Sequence, residues 1–372
     1  MSVVVHTPDV VGERMAGPGI RAWHIARELS ALAPTTLVAK REHDHAGLPD
    51  AELASERLRI VEHGSGEAEA ALRDASILFG QPARGFHRRR REQKVIHDMF
   101  DPTVLELREL YGSAPSLRQR IHLGAEWWRL AEALLRADLL VCAAASQRRF
   151  YGSLQGGDAP WIEVPFGLDP EEIRSCVTAR DRLVLWGGGI WEWLDPATAV
   201  DAVVRLNAEG LETKLLFLGR RRPNRDLVDR RRDDRFDDLL RRGGKFVAAN
   251  EEWVAYRGRL SWLRAARVAI MLHRRTAEAE YSIRTRLFDA IAAATPVVAS
   301  AGGFAAELVE KEGLGIVVPP EDGDAVTAAL RKLLTDDAFW LTCVQNLERV
   351  RPRFAWNVVT RPLILSINQW LN

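Results

Sequence analysis

Two arginines at the predicted start of a helix are the residues best suited to bind phosphate. Arg284 and Arg286 open this helix, and Glu278 and Glu280 lie just before it. A guanidinium group offers a planar fork of N–H donors that can hold a phosphate or a carboxylate with two hydrogen bonds. We therefore expect one arginine to bind an anion and the other to pair with Asp289 or a nearby glutamate.

Glycines follow strand-like segments in the second half of the chain. Gly187 and Gly188 come directly after the apolar run 183–186, and Gly302 and Gly303 follow another such run. Glycine at the carboxyl end of a parallel strand lets a ligand lie against the backbone. The alternative is a flexible turn without a ligand.

A third glycine turn lies near the start of the chain. Gly17 and Gly19 precede a predicted helix, whose N-terminus would offer N–H groups to a pyrophosphate. The motif GxGxxG is not completed, because residue 22 is Ala22. A tight turn from strand to helix without a ligand is an equal alternative.

One histidine ends a predicted strand. His97 could hydrogen-bond a polar group of a ligand bound in a cleft. The equal alternative is that His97 is buried and that Asp98 or Asp101 caps the helix that begins near Pro102.

The scaffold for these residues is predicted from the alternation of short apolar runs with longer helical patterns. This alternation is typical of a parallel α/β fold. The predicted strands of the first half are 2–6, 35–38, 77–78, 94–97, 139–142 and 161–164. Those of the second half are 183–186, 214–218, 268–272, 297–299 and 315–318.

Length and composition indicate a globular protein of two domains. The chain has 372 residues, of which 47% are hydrophobic. Its net charge of +1 gives no general attraction to nucleic acid, which we do not expect as a partner. The 3 separated cysteines favour neither a zinc site nor disulfides, and we expect no metal. The start lacks the pattern of a signal peptide.

The predicted boundary is the turn-rich stretch 165–182. It separates an N-terminal domain, 1–170, from a second domain, 171–350. The amphipathic segment 351–372 could pack as a C-terminal helix on either domain.

A basic run from Arg84 to Lys94 includes four consecutive arginines, 88–91. Such a run could hold the protein peripherally on an anionic membrane. The alternative is a solvated basic loop.

The order of these motifs resembles that of the family four retaining glycosyltransferases, the glycosyl transferases group 1, over nearly the whole chain. The resemblance is most specific in residues 263–322, which include the run 289–299 and the pair Gly302 and Gly303. Gly17 and Gly19 match the family's first loop. The resemblance implies the GT-B fold, with two facing Rossmann-like domains, a central cleft and a last helix that crosses back to the first domain.

The family also implies roles for particular residues. Its two glutamates, separated by seven residues, flank the donor sugar and the ribose. The second corresponds to Asp289, whereas the first falls on Tyr281, so that either Glu280 supplies this carboxylate or it is lost. Glu307, with the glycine pair before it, lies in the donor-binding pattern.

One pair of family residues is absent. The family has an Arg and a Lys after the glycine turn that neutralise the donor diphosphate, and this chain has Ile190 to Trp193 there. We expect Arg284 and Arg286 to replace them, with Arg220 and Arg221 as a second choice.

The resemblance implies a metal-independent hexosyltransferase without a cofactor. A nucleotide diphosphate sugar would be the co-substrate, and a glycan or lipid-linked hydroxyl the acceptor. The expected role is polysaccharide or glycoconjugate biosynthesis in the cytoplasm, or peripherally at the inner membrane face. The alternatives are a catalytically impaired GT-B protein that binds nucleotide sugars and a sugar-nucleotide epimerase of the same architecture.

Overall fold

The chain forms two compact units. A computed structural model describes residues 1–40, 54–169, 181–219 and 230–371, and the side chains of all but 230–234 among them. The N-terminal unit comprises Met1–Gly167, Tyr281–Ile283 and Trp356–Asn372; the C-terminal unit comprises Leu168–Glu280 and Arg284–Ala355. Arg220 and Arg221 lie outside the described residues.

The described part of the N-terminal unit contains a parallel seven-stranded sheet in the order β3-β2-β1-β4-β5-β6-β7. Its strands are β1 (Val3–Val10), β2 (Thr35–Lys40), β3 (Leu58–Glu62), β4 (Ile77–Gly80), β5 (Lys94–Asp98), β6 (Leu139–Cys142) and β7 (Trp161–Glu163). Its first helices are α1 (Gly17–Leu32), α2 (Gly66–Asp74), α3 (Thr103–Tyr111), α4 (Leu117–Arg136) and α5 (Ala145–Gly152). Burial on both faces explains the apolar runs of the strands.

The described part of the C-terminal unit contains a parallel six-stranded sheet in the order β10-β9-β8-β11-β12-β13. Its strands are β8 (Asp181–Trp186), β9 (Lys214–Phe217), β10 (Val247–Ala249), β11 (Ala266–Met271), β12 (Val297–Ser300) and β13 (Gly315–Val318). Its helices are α6 (Pro196–Ala208), α7 (Arg230–Gly243), α8 (Arg259–Ala265), α9 (Ala277–Tyr281), α10 (Thr285–Ala293), α11 (Gly303–Glu312), α12 (Gly323–Thr335) and α13 (Asp337–Val350). The predicted parallel α/β class is confirmed.

The end of the chain belongs to the N-terminal unit. Helices α14 (Trp356–Val359) and α15 (Arg361–Leu371) belong to this unit. The Trp356 ring stacks on His24 of α1, with centroids 4.9 Å apart. A Cβ atom on Gly167 would lie 2.3 Å from Cδ2 of Trp356, so only glycine fits beneath this ring.

A buried ion pair joins three segments of the N-terminal unit. Arg21 of α1 is 1% exposed, and its Nε and Nη2 donate to the Asp98 carboxylate at 2.7 and 2.9 Å. Its Nη1 donates to the carbonyls of Val164 and Pro165 at 2.9 and 3.2 Å. A buried charge is tolerated only when it is paired and hydrogen-bonded in this way.

Two further carboxylates lie at the same end of the sheet. Burial raises the pKa of Asp9 to about 6. Burial and the charge of Asp9 raise the pKa of Asp101 to about 7, against a hydrogen bond from Gln81. That bond, from Nε2 to the Asp101 carboxylate, is 2.9 Å long.

The prediction that Asp98 or Asp101 caps α3 is wrong: Pro102 is the N-cap and no side chain caps this end.

Replacing Arg21 tests the buried pair. We expect Arg21→Ala to lower the free energy of unfolding by about 3 to 5 kcal/mol, because the Asp98 carboxylate would stay buried without its partner. Urea denaturation measures the loss. The double variant Arg21→Leu/Asp98→Leu should lose less than the two single Leu variants summed; full additivity would contradict the pairing.

The raised pKa of Asp101 predicts a pH dependence. A carboxyl group whose pKa is higher in the folded than in the unfolded protein destabilises the fold as it ionises, between about pH 4 and 7. Asp101→Asn keeps an acceptor for Gln81 but does not ionise. We expect its melting temperature to rise relative to wild type as the pH increases through this window. Asp74→Asn, at an exposed site, is the control; a difference independent of pH would refute the assignment.

Candidate functional site

The glycine turn after β8 lies beside Arg286. A Cβ atom on Gly187 would lie 3.8 Å from Cγ of Arg286, and one on Gly188 would lie 3.5 Å from its Nε. Trp186 and Trp193, on either side of the turn, are 0% and 5% exposed.

Backbone hydrogen bonds hold this turn against the loop after β11. The Asp195 N–H donates to the Leu272 carbonyl at 3.1 Å, and the Arg274 N–H donates to the Trp193 carbonyl at 2.9 Å. The segments that follow two neighbouring strands therefore form one edge of the C-terminal unit.

One of the two predicted arginines is held by a carboxylate. Arg284 donates from Nη1 and Nη2 to the two oxygens of Glu278 at 2.8 and 2.7 Å. The Glu278 side chain is only 1% exposed. The expectation that one arginine pairs with a nearby glutamate is confirmed, with Glu278 as the partner.

The other arginine faces the glycine turn. Arg286 donates from Nη2 to the Gly189 carbonyl at 2.5 Å, and its guanidinium carbon lies 5.5 Å from the centroid of the Trp186 ring. A cation therefore lies beside the turn where the family resemblance places an Arg and a Lys.

Two helices begin at this edge without side-chain caps. The N-cap residues are Arg284 for α10 and Gly302 for α11, and neither helix has an acidic residue in its first turn. A Cβ atom on Gly303 would lie 2.6 Å from the Ala279 carbonyl oxygen, so glycine allows α11 to start close to α9. Uncapped N-termini offer N–H groups and the positive end of the helix dipole to an anion.

Asp289 has a partner within the protein. Its carboxylate accepts a hydrogen bond from Nε of Arg259 at 2.8 Å, and the Arg259 guanidinium carbon lies 3.8 Å from the centroid of the Tyr256 ring. A ribose contact by Asp289, which stays a prediction, would share this carboxylate with Arg259.

The other predicted carboxylates are exposed. Glu280 is the penultimate residue of α9, and Glu307 lies on the solvent side of α11. Tyr281, at the family's first glutamate position, belongs to the N-terminal unit and stacks on Phe150 with centroids 4.7 Å apart. The side chain at the family's first glutamate position is therefore an aromatic ring that packs within the N-terminal unit.

Two residues of this edge were missed in the sequence analysis. Trp253 follows β10, and its Cε3 would lie 3.0 Å from a Cβ atom on Gly219 and its Cη2 3.6 Å from one on Gly188. The glycines that end two adjacent strands could have indicated a packed aromatic ring. Arg259 gave no signal, because its partner Asp289 is 30 residues away.

The first glycine turn has a packing role. A Cβ atom on Gly19 would lie 2.2 Å from the carbonyl oxygen of Val10, so glycine is required for α1 to lie against β1. Gly17 is the first residue of α1, whose N-cap Ala16 makes no side-chain capping bond.

His97 is 7% exposed and packs edge-on against Phe86, with centroids 5.4 Å apart. Burial lowers the pKa of His97 to about 4, against a backbone hydrogen bond with Gly80. Its Nδ1 has no hydrogen-bond partner in the described residues. The ring is therefore neutral at pH 7 and cannot act there as a cation.

Much of the predicted membrane run is engaged by carboxylates. Arg88 and Lys94 contact Asp138 at 2.5 and 3.3 Å, and Arg89 contacts Glu69 at 3.2 Å. Within the described ranges, no helix has the length and apolarity to cross a membrane. The same residues contain no cluster of three or more His, Cys, Asp or Glu side chains that could hold a metal ion.

Residues 180–336 match the family described as glycosyl transferases group 1. Sucrose-phosphate synthase from Thermosynechococcus elongatus is 17% identical, with a TM-score of 0.74 over 100% of this chain and 99% of that one. Anabaena HepE, solved with UDP and glucose, is 12% identical, with a TM-score of 0.73 over 98% of each chain. At these identities the two structures show the fold alone.

A probable sucrose-phosphate synthase of Oryza sativa subsp. japonica is 36% identical over 70 residues. This match spans 19% of the chain and 7% of the length of that relative. The chain thus has the GT-B fold, and its residues 180–336 match the model of the glycosyl transferases group 1.

Proposed function

We propose that the protein is a retaining glycosyltransferase that moves a sugar from a nucleotide diphosphate sugar to an acceptor hydroxyl without a metal ion. The observation that carries the proposal is the position of Arg286 beside the turn of Gly187 and Gly188. The uncapped starts of α10 and α11 belong to the same unit. Anabaena HepE was also solved with UDP-glucose, so a UDP-sugar is the first donor to test.

The chemistry requires stabilisation of a leaving diphosphate. Cleavage of the bond between the anomeric carbon and the phosphate oxygen places negative charge on the β-phosphate. The Arg286 guanidinium and the helix N–H groups are proposed to stabilise this charge. The acceptor hydroxyl attacks from the face of the leaving group and gives its proton to the departing phosphate oxygen, so that the protein need not supply a base.

His97 is proposed to contact a sugar hydroxyl. A ring with a pKa of about 4 is neutral at pH 7, so it would donate or accept a hydrogen bond there without transferring a proton. Its buried Nδ1, which has no partner among the described residues, is the atom that fits this role.

The acceptor is proposed to be a glycan or a lipid-linked sugar in polysaccharide or glycoconjugate biosynthesis at the cytoplasmic side. This part of the proposal rests on the family resemblance.

A second candidate is a protein that binds the donor without turning it over. The observation that favours it is the Glu278–Arg284 pair, which neutralises one of the two arginines expected to replace the missing Arg and Lys. Donor binding without release of the nucleotide would identify this function.

Replacing Arg286 tests the donor site. We expect Arg286→Ala to weaken binding of the preferred nucleotide diphosphate about 10- to 100-fold, because a hydrogen bond to a charged group contributes about 1.5 to 3 kcal/mol. Calorimetric titration with UDP, GDP, ADP and dTDP measures the affinities. Arg275→Ala, an exposed arginine just before α9, is the matched control. Equal affinity of Arg286→Ala and wild type would remove Arg286 from the site.

The stereochemistry and the metal requirement test the reaction. With an α-linked UDP-sugar we expect nucleotide release, an α-linked product and no loss of rate in EDTA. A coupled UDP assay gives the rate, and proton NMR gives the anomeric configuration. A β-linked product or inactivation by EDTA would contradict the mechanism.

A further inference from the structure

Helix α4 carries a heptad pattern on the side that faces solvent. Residues separated alternately by four and three positions lie on one side of a helix and are typical of a helix that packs against another helix. The large side chains of this α4 stripe are between 57% and 74% exposed. The residues that α4 buries in its own unit, Leu130, Ala133 and Leu134, lie on a different face. The α4 stripe consists of Leu117, Ile121, Gly124, Trp128, Ala131 and Leu135.

The α4 stripe is complementary to itself when a second copy runs in the opposite direction. The register that uses the whole stripe places large residues against small ones in the middle. Its pairs, with the residue of the second copy given second, are Leu117 with Leu135, Ile121 with Ala131, and Gly124 with Trp128. The largest side chain of the stripe therefore meets its smallest residue.

Other arrangements of two α4 helices fit less well. A parallel pair would place Trp128 against Trp128 and Gly124 against Gly124, so that one layer would be overfilled and another empty. An antiparallel pair shifted by one heptad would leave two stripe residues without a partner on each copy. Only the register described above gives every stripe residue a partner.

The charges beside the stripe fit the same register. Arg118 and Glu132 each directly follow a stripe residue and lie along the same edge of it. In the antiparallel pair, Arg118 of one copy faces Glu132 of the other, and symmetry repeats this contact. Arg118 is exposed and makes no ion pair with another described residue. Oε1 of Glu132 accepts from Arg136 at 2.8 Å, and Oε2 can accept from Arg118 of the second copy.

The apolar surface continues beyond one end of the stripe. A Cβ atom on Gly156 would lie 3.8 Å from Cδ1 of Leu135, so the loop after α5 borders this end. Leu154 in this loop is 43% exposed. The antiparallel register brings Leu117 of the second copy to the same end, where it meets apolar surface from the helix and from the loop.

We propose that α4 is a homodimer interface, in which two copies of the chain pair through antiparallel α4 helices. Twofold symmetry uses the same surface on both copies and is the commonest symmetry of homo-oligomers. The matched sizes and charges identify the occupant of the stripe as a second copy. A lipid surface or an unrelated protein would not require Trp128 to be matched by Gly124, or Arg118 by Glu132.

Sedimentation velocity of the full chain over a range of concentrations tests the interface independently of any enzymatic activity. We expect a reversible dimer in wild type, and Ile121→Gln/Trp128→Gln to weaken dimerisation at least about tenfold, because large central residues dominate binding. Gln maintains helix propensity and both side chains are exposed, so the melting temperature of the monomer should not change. The matched control is Leu341→Gln, at an exposed leucine of α13, which should dimerise like wild type.

Charge reversal tests the ion pair. Arg118→Glu and Glu132→Arg should each weaken dimerisation about two- to fivefold, because each places like charges opposite one another. The double variant Arg118→Glu/Glu132→Arg should bind more tightly than either single variant. A lack of recovery would contradict the antiparallel register.

Disulfide trapping tests the direction of the helices. The background variant is Cys176→Ser, since Cys142 and Cys343 are buried. Leu117→Cys and Leu135→Cys, each alone, should not cross-link, whereas a mixture of the two should form a disulfide-linked dimer under oxidation. Cross-linking of either variant alone would show a parallel pair and overturn the proposal.

Two results would remove the interface altogether. Wild type that stays monomeric at its highest soluble concentration would do so, as would Ile121→Gln/Trp128→Gln that dimerises like wild type. If monomeric wild type instead floats with vesicles of phosphatidylglycerol, a lipid surface covers the stripe and the proposal is wrong.

Discussion

The Glu278–Arg284 pair determines how the edge of the C-terminal unit is charged. A carboxylate that is only 1% exposed is tolerated because the fork of Arg284 satisfies both of its oxygens. This contact fixes the residue that precedes α10. Arg286, two residues later, projects in another direction because successive helical residues are rotated by about 100°. One arginine therefore neutralises a buried charge, and the other brings a positive charge to the glycine turn.

Sheet topology explains why residues distant in the sequence meet at this edge. β8, β11 and β12 are neighbours and run parallel, so the segments after them emerge on the same side. Gly187, His273 and Gly302 each follow one of these strands. His273 shows how closely they approach: its N–H donates to the Ser300 hydroxyl at 3.1 Å. The N-terminal unit uses the same principle, since Arg21 joins Asp98, the last residue of β5, to the segment that follows β7.

The sequence predicted features that depend on local patterns. Eleven strands were anticipated because parallel strands buried on both faces are continuous apolar runs. β3 and β10 were missed. Both are edge strands: β3 contains the exposed Arg59, and β10 has only three residues. Edge strands need less apolar sequence, so their pattern is weaker.

Contacts between distant residues could not be predicted in this way. The sequence indicated that one of two arginines would be paired, but not that Glu278 would be the partner. Asp289 matched a family position, yet its bond with Arg259 depends on the packing of α8 against α10. The capping role proposed for Asp101 failed because Gln81, after a different strand, holds its carboxylate. The spacing of residues along the chain does not show which distant side chain will bind a given carboxylate in the folded protein.

The contact of Trp356 with Gly167 has a consequence for biosynthesis. The glycine leaves the ribosome 189 residues before the tryptophan that covers it. Throughout that interval the surface formed by His24, Phe166 and Gly167 lacks the indole that packs against it. The first unit to be translated is therefore completed only when nearly the whole chain has been made. All residues of the C-terminal unit, which ends at Ala355, are therefore translated before the last segment of the N-terminal unit.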